Sequence, residues 1–565
     1  MKIKQLLDVT NTSHFNKYEQ AVLQYNNIKE EDVESLFPDI GIRYNFDDYF
    51  KLMQPIVKGD EFVDFIEKHK TEKFCVVGDY DCDGIMATSI MSYGLIQCGI
   101  DCVYICPNRF NDGYGMKKNH VDSAIKSKAT IIITVDNGIS SNDVIDYAHE
   151  HNIKVVVTDH HLSADESHAD LCIDPYSNAD EFKDISGATV AFKLIYLLYK
   201  KYNFNFIKDF ASMAAITVQS DVMPCVKENR ILLKAFYQYA NEQMYVQNTF
   251  INRLFKLLSF YDPKNKSDPY LNLKGLFRPL TIENINFYLI PVINSANRVV
   301  GDVNDLVYNI MSLFHSDFDG MPNMYYNLNR QRIFMKSELN RLHQVNDETK
   351  AVVEVLNPGK YENNYSGITG LVASTIVETE NKPALIGVDL GTSDVHFSGR
   401  SVSGFDLYEA LNQIKNEHPD LSFTFGGHAE ALGATCDKSK TDVLQQYLSE
   451  KFDLANILQE EKSYLNLKSE DIEGFQNAYM KLWPFGSKFE FPKFYIEGQI
   501  NYYFKENNAF SLKTYGNQVS IKFYGKDIQD RISNYAFKNR NHVIKGIAEF
   551  QENDNMIMLK LDELL

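Results

Sequence analysis

The chain has 565 residues, 44% apolar and 24% charged, the composition of a soluble globular protein with room for about three domains. A formal net charge of −19 argues against a protein that coats nucleic acid by bulk electrostatics, and leaves open an enzyme that grips a strand locally through metals and a few arginines. No run of about 18 apolar residues occurs and MKIKQLLDVTNTSHF lacks the apolar centre of a signal peptide, so a cytoplasmic protein without a membrane segment is expected.

Residues 1–70 read as helical and polar, with NIKEEDVESLF and DDYFKLMQPIVKGDEFVDFIEKH as amphipathic candidates. From residue 73 short apolar runs (KFCVVG, DCVYICP, ATIIITVD, IKVVVTD, DLCID) alternate with helical segments. Over 71–235 this predicts a parallel α/β sheet covered on both faces. Residues 236–350 look helical and end in a long polar segment, MYYNLNRQRIFMKSELNRLHQ, expected to be a connecting helix. A second α/β block follows over 351–445, with ALIGVDL and VHFSGRS as strands. Over 446–565 a linker, LWPFGSKFEFPKF, leads into aromatic-rich alternation that predicts a small β-barrel. The eight cysteines form no CxxC pair and read as reduced core residues.

Acidic residues crowd the strand ends of the first block. Asp79, Asp81 and Asp83 follow FCVVG, Asp136 follows TIIITV, and Asp159, His160 and His161 follow KVVVT. Ligands of open parallel sheets bind beyond the carboxyl ends of the strands, so these three strand ends are expected to meet. Helix capping accounts for any one aspartate, but not for three at alternate positions together with a double histidine. Carboxylates with imidazole suit Mg²⁺ or Mn²⁺. So many ligands predict two ions about 3.5–4 Å apart, bridged by a shared carboxylate, an arrangement suited to in-line displacement at phosphorus.

GDYDCDG, TVDNG and TDHH resemble the first three motifs of the DHH phosphoesterase superfamily. AAITVQSDVMP supplies Asp221 for the fourth, and DISGATVAFKL resembles the intervening segment of the RecJ branch, the single-strand-specific 5′→3′ exonucleases. The resemblance continues in order along nearly the whole chain. It implies that Asp81, Asp83, Asp136, His160 and Asp221 are metal ligands, with Asp136 the bridge and Asp79 either a ligand or a support beside one. Val77 stands where several members carry a histidine. His161 is implied to face the scissile phosphate, with Asp159 orienting the histidine pair.

The resemblance also implies the strand-binding residues. CPNRFNDGYGM brings Arg109 to the phosphates, where a guanidinium offers a planar fork. PVINSANRVVGD keeps Asn294 and Arg298 but has Val292 and Asn297 where the motif usually has arginine and glycine. Phosphate recognition there is expected to be weaker, or passed to a neighbour such as Arg278. GITGLVASTI, FSGRSVSG and FGGHAEALGAT match the domain that accompanies the Asp-His-His domain. They imply Ser398 and Arg400 at the 5′ end, and Gly426, Gly427 and His428 near the cleft, where glycine lets backbone approach phosphate. The tail resembles a linker into an oligonucleotide-binding (OB-type) barrel. Residues 486–550 hold ten Lys plus Arg against six Asp plus Glu, and Tyr502, Tyr503, Tyr515 and Tyr524 are available for stacking.

The expected whole is a parallel-sheet DHH domain facing a second α/β domain across a cleft, with a C-terminal OB-type β-barrel. Its expected activity is two-metal, single-stranded-DNA-specific 5′→3′ exonucleolysis releasing 5′-mononucleotides, with two Mn²⁺ or Mg²⁺ ions, in DNA repair and recombination. A monomer is expected, with single-stranded DNA as substrate and a helicase or single-strand-binding protein as partner. Two alternatives stand beside this reading. One is a phosphodiesterase of the same superfamily acting on short oligonucleotides or cyclic dinucleotides, against which the barrel-like tail weighs. The other is an inactive DNA-binding scaffold, in which ligands would be lost, whereas all four motifs are intact here.

Overall fold

A computed structural model describes residues 2–4, 15–38, 50–163, 165–243, 246, 249–258, 282, 285–315, 324–346, 348–359, 364–455, 463–504, 509–514, 517–523, 543–553 and 556–564. Arg278, Tyr515, Tyr524 and the side chains of Tyr502 and Tyr503 lie outside the described residues.

Five strands, β1 (Phe74–Val77), β2 (Cys102–Ile105), β3 (Ile131–Val135), β4 (Lys154–Thr158) and β5 (Leu171–Ile173), form an all-parallel sheet in the order β2-β1-β3-β4-β5. Their near-continuous apolar sequences follow from burial on both faces. Phe74, Val76, Ile131 and Ile133 pack against helices α1 (Cys82–Gln97), α4 (Gly187–Tyr202) and α5 (Ile207–Ser220). Cys75, Val77, Ile132 and Val155 pack on the other face against α2 (Lys118–Lys126) and α3 (Asn142–Glu150). The strand order reverses direction between β1 and β3, so a crevice opens at their carboxyl ends. The turns carrying Asp79–Asp83 and Asp136 border that crevice.

The second unit is a mixed five-stranded sheet. Its strands are β6 (Val352–Leu356), β7 (Ala384–Val388), β8 (Asp394–Arg400), β9 (Thr424–Gly427) and β10 (Ala431–Asp437), in the order β9-β10-β8-β7-β6. Only β6 and β7 are parallel. Two helices join the units: α6 (Ile290–Val299) and the long α7 (Met324–Leu342). Tyr325 of α7 packs in the first core, Met335 and Leu339 pack in the second, and Leu328 lies against both. Helix α8 (Thr369–Glu380) covers one face of the second sheet. Helix α9 (Thr441–Leu454) packs Leu444 and Leu448 under the other, so this unit runs past the expected limit at 445.

The amino-terminal segment is not wholly helical. Lys2–Lys4 is a strand that pairs in parallel with Ser463–Asn466. In the tail, Phe494–Phe504 pairs with Ala509–Thr514, which pairs with Asn517–Phe523, then Met556–Leu564, then Val543–Asn553. Val543–Asn553 pairs back to Phe494–Phe504. The linker is fastened by buried Arg230, which donates to the carbonyls of Leu482, Trp483 and Pro484 at 3.0, 2.9 and 2.6 Å. Those bonds satisfy a cation that would otherwise be costly to bury. All eight cysteines are free, and among the described residues no helix is long and apolar enough to cross a membrane.

Candidate metal centre and phosphate-facing cleft

Each acidic turn has a local structural reason and a remainder that local structure does not use. Asp81 caps α1, its Oδ1 accepting the N–H groups of Asp83 and Gly84 at 3.0 and 3.1 Å. Asp83 accepts from Gly187 and Ala188 N–H at the start of α4, at 2.6 and 2.9 Å. Asp136 ends β3 with φ +60°, a left-handed conformation uncommon outside glycine. The amino terminus of α4 reaches this site because Gly187 has no side chain: a Cβ there would lie 2.6 Å from the Asp136 Cβ. Asp221 follows the end of α5.

These groups converge. His160 Nε2 lies 3.0 Å from Asp136, 3.6 Å from Asp83 and 3.8 Å from Asp221. Three sets bring candidate ligand atoms within 4.8 Å of one another: Asp79, Asp81 and Asp136; Asp83, His160 and Asp221; and Asp136, His160 and His161. Asp79, Asp136 and Asp83 are buried. Burial, then neighbouring carboxylates, pushes the carboxyls of Asp79, Asp136 and Asp221 well above their ordinary range, and raises Asp81 as well. Burial, then the charge of His161, holds the His160 imidazole below its ordinary value.

The residues fit divalent cations. Asp79 Oδ1, Asp136 Oδ1 and His160 Nε2 are buried without a hydrogen-bond partner, even though the last two are only 3.0 Å apart. Buried polar atoms left unpaired in this way are rare. A set of carboxylate oxygens with one imidazole nitrogen is the donor chemistry of Mg²⁺ and Mn²⁺ sites. Asp79, whose sequence role was open, groups with Asp81 and Asp136. Val77, in the place of the family histidine, is buried in β1 and brings no ligand.

Asp159 organises the histidine pair. Its Oδ1 accepts from His160 N–H at 2.7 Å and from His161 Nδ1 at 2.7 Å, and its Oδ2 accepts from Ile139 N–H at 3.0 Å. Burial opposes a charge on Asp159, but the His161 hydrogen bond and the histidine charges outweigh it and lower its carboxyl. Burial likewise opposes protonation of His161, yet the bond to Asp159 prevails and pushes the imidazole up to about 9.

Two further residues of this site were not singled out from the sequence. Asn137 donates to the carbonyls of Val77, Gly78 and Val135 and accepts from Met116 N–H, lacing together the ends of β1 and β3. The Tyr114 hydroxyl donates to the Asp136 carbonyl at 3.3 Å and lies 3.1 Å from His161 Nδ1. The motifs TVDNG and GYGM contain both residues, but nothing in their spacing reveals these partners.

Cations line the other side. Arg109 is tethered by its N–H to the Gly301 carbonyl at 2.9 Å, and its guanidinium lies 5.2 Å from the Tyr80 ring centroid. Arg298, on α6, bonds the Gly367 carbonyl of the second unit at 3.4 Å. Ser398 and Arg400 stand two apart on β8, with Ser398 Oγ 2.8 Å from Thr369 Oγ1. Burial, then the charges of Arg109, Arg332 and Arg400, lowers the Arg298 guanidinium to about 9. Arg332, on α7, thus joins three arginines expected from motifs. Asn294 has a buried Oδ1 without a partner. Asn297 donates to the Tyr80 carbonyl at 2.8 Å, so its departure from glycine ties α6 to the first aspartate motif. Val292 points into the first core. Gly427 ends β9 with φ +137°. His428 is exposed in the turn that follows, which leads to Ala431, the cross-strand neighbour of Arg400.

Comparison with known proteins agrees with this geometry. The model of the DHH family, N-terminal domain, matches residues 73–218, and that of the DHHA1 domain matches 348–453. The single-stranded-DNA-specific exonuclease RecJ of Salmonella typhimurium is 29% identical over 416 residues, covering 67% of this chain and 66% of its own length. That of Escherichia coli is 27% identical with the same coverage. The chain therefore spans slightly less than two thirds of these relatives. The crystal structure of RecJ from Thermus thermophilus in complex with Mn²⁺ superposes with a TM-score of 0.72 at 20% identity, covering 97% of this chain and 76% of that one, and so has the same fold. Residues 73–218 and 348–453 thus match a DHH N-terminal domain and a DHHA1 domain in that order, and the chain is similar to the RecJ exonucleases over two thirds of its length.

Proposed function

We propose that this protein is a metal-dependent, single-strand-specific DNA exonuclease that works 5′→3′ and releases 5′-mononucleotides. The observation that carries this reading is one cleft in which buried, unpartnered carboxylate and imidazole atoms lie beside arginines that have no carboxylate partner among the described residues. The crystallised Thermus relative holds Mn²⁺. Here Asp79, Asp81 and Asp136 would hold one Mn²⁺ or Mg²⁺ and Asp83, His160 and Asp221 a second. When bound, such ions activate water and stabilise charge on phosphoryl oxygens.

The chain's own residues do the positioning. Arg109, Asn294, Arg298, Ser398 and Arg400 hold the strand's phosphates, with Gly427 and His428 beside Arg400. His161, kept protonated by Asp159, donates to an oxygen of the scissile phosphate and stabilises its developing charge. Water adds to phosphorus, the P–O3′ bond breaks, and the leaving 3′-oxygen takes a proton. The closed strand pairing of the tail suits an OB-type barrel that guides single-stranded DNA toward the cleft. The working units are 71–235, a second α/β unit starting at 351, and the tail, preceded by an amino-terminal segment and joined by 236–350. A monomeric cytoplasmic enzyme of DNA repair and recombination, loaded by a helicase or single-strand-binding protein, is consistent with its acidic surface.

The test compares 5′- and 3′-labelled single-stranded and duplex DNA with Mn²⁺ or Mg²⁺. Labelled mononucleotide is expected at once from the 5′-labelled single strand. Release from the 3′ end first, or from duplex alone, overturns the proposal.

A further inference from the structure

Asp79 stands between two backbone carbonyls that are each held from outside its own turn. The Gly78 carbonyl accepts from Asn137 Nδ2 at 2.9 Å, and the Tyr80 carbonyl accepts from Asn297 Nδ2 at 2.8 Å. Asn137 belongs to the neighbouring strand end. Asn297 comes from α6, 217 residues beyond Tyr80 in the chain. Gly84 lets α1 close against the same turn, since a Cβ there would lie 2.6 Å from both the carbonyl carbon and the Cβ of Asp79. The turn carrying Asp79 and Asp81 is therefore seated against α1, the end of β3 and α6.

Helix packing gives no reason for an asparagine at position 297. It stands four residues after Ile293, on the side of α6 that packs Val292, Ile293 and Ala296 into the first core, and it is 1% exposed. Asparagine is a weak helix former, and a buried amide is costly unless it is bonded. Here only half of it is: Asn297 Oδ1 is buried without a partner among the described residues, as is Asp79 Oδ1, one residue before the clasped carbonyl. An apolar side chain would fill this position without that cost, so the amide serves the aspartate turn rather than the helix. The next residue of α6 meets the second unit: the Arg298 guanidinium bonds the Gly367 carbonyl at 3.4 Å, and a Cβ on Gly367 would lie 2.2 Å from the Arg298 carbonyl oxygen. Helix α6 is thus held between the second unit and the aspartate turn.

We infer that Asn297 is a positioning residue for the divalent cation that Asp79, Asp81 and Asp136 would hold, because its clasp on the Tyr80 carbonyl fixes the turn on which two of those three carboxylates stand. The inference rests on the metal-dependent reading above. Asp79 and Asp81 repel each other, so the turn has to hold them together until a cation offsets their charge. The other set is supported elsewhere, with Asp83 bonded to the start of α4 and Asp221 following α5. Asn297 therefore acts on one ion of the two. By linkage, an ion that depends on α6 also steadies α6.

The experiment titrates Mn²⁺ into the full chain by calorimetry. Wild type is expected to bind two ions. Asn297→Ala is expected to weaken one of them about tenfold, the scale of residues that support metal ligands, and to leave the other unchanged. The Mn²⁺ concentration that half-saturates cleavage of a 5′-labelled oligothymidylate should rise with it, and the rate should recover at saturating Mn²⁺. Asn297→Leu, of similar volume but without the amide, should behave alike. Ser295→Ala, which removes a buried hydroxyl bond to the Val292 carbonyl on the same helix, should leave both ions unchanged. A measurement on the wild type needs no variant: added Mn²⁺ should slow deuterium exchange of the amides of α6. Equal weakening of both ions by Asn297→Ala, no weakening, the same loss in Ser295→Ala, a rate that stays low at saturating Mn²⁺, or no slowing of exchange on α6 overturns the inference, and the metal-dependent reading survives each. A wild type that binds no Mn²⁺ overturns both.

Discussion

Replacing Gly187 by alanine is expected to disable the metal centre without altering any proposed ligand. The new Cβ would lie 2.6 Å from the Asp136 Cβ and 2.7 Å from its Oδ1, where carbon atoms normally approach to about 3.5–4.0 Å. Something must move by about 1 Å. Helix α4 resists, because Gly187 and Ala188 are bonded to Asp83. Asp136 also resists, held at φ +60° with its N–H on the Thr158 carbonyl. Overpacking of this kind costs about 1–3 kcal/mol. A displacement of about 1 Å at a catalytic group costs about 100-fold in rate. The assay is thermal unfolding across a Mn²⁺ titration, paired with nuclease rate. At about 100 times its dissociation constant, one ion stabilises wild type by about 2.7 kcal/mol. The variant should lose most of that gain and about 100-fold in rate, while its unfolding in EDTA shifts only by the overpacking cost. Wild-type Mn²⁺ affinity together with wild-type rate in Gly187→Ala would refute the reasoning.

Three other outcomes are expected. Asp136→Asn should abolish both cleavage and the Mn²⁺-dependent gain in stability, yet unfold at a higher temperature than wild type in EDTA at about pH 8. The Asp136 carboxyl is raised by burial and its acidic neighbours, so its stabilising contribution is full below its unfolded value and lost as pH rises through the folded one. Higher apo stability for wild type than for Asp136→Asn at that pH would contradict this. Asn137→Ala removes three donated bonds inside the sheet and should cost about 2–4 kcal/mol in urea unfolding while weakening Mn²⁺ binding; a loss below about 1 kcal/mol would show that Asn137 does not lace the strand ends. His343, at the junction of α7 with the second unit, lies 2.5 Å from both Glu354 and Glu380. Burial disfavours its charge but the two carboxylate bonds prevail and raise its value. The junction's contribution should therefore be full below about pH 6.5 and fade as pH rises through the folded value, and His343→Gln should flatten the pH dependence of thermal unfolding above about pH 6.5. An unchanged profile would remove His343 from that role.

The amino-acid sequence by itself determined the parallel sheet and the acidic strand ends, because both are written in local pattern. Continuous apolar runs mark strands buried on two faces, and Asp79, Asp136 and Asp159 stand one or two residues beyond them. The parallel topology then brings those strand ends to one crevice whatever the details. Capping and ligation were not legible as joint properties of Asp81, since one oxygen that caps a helix leaves the other free. What only the tertiary structure decided was phase and distant pairing. Lys2–Lys4 pairs with Ser463–Asn466, a contact that a three-residue strand cannot announce across the length of the chain. Gly187 reads as replaceable until α4 is docked against Asp136. Arg332 reads as one more solvated charge on a polar helix. It becomes part of the cleft because α7 is shared by two cores, and that sharing sets which way each turn of the helix faces.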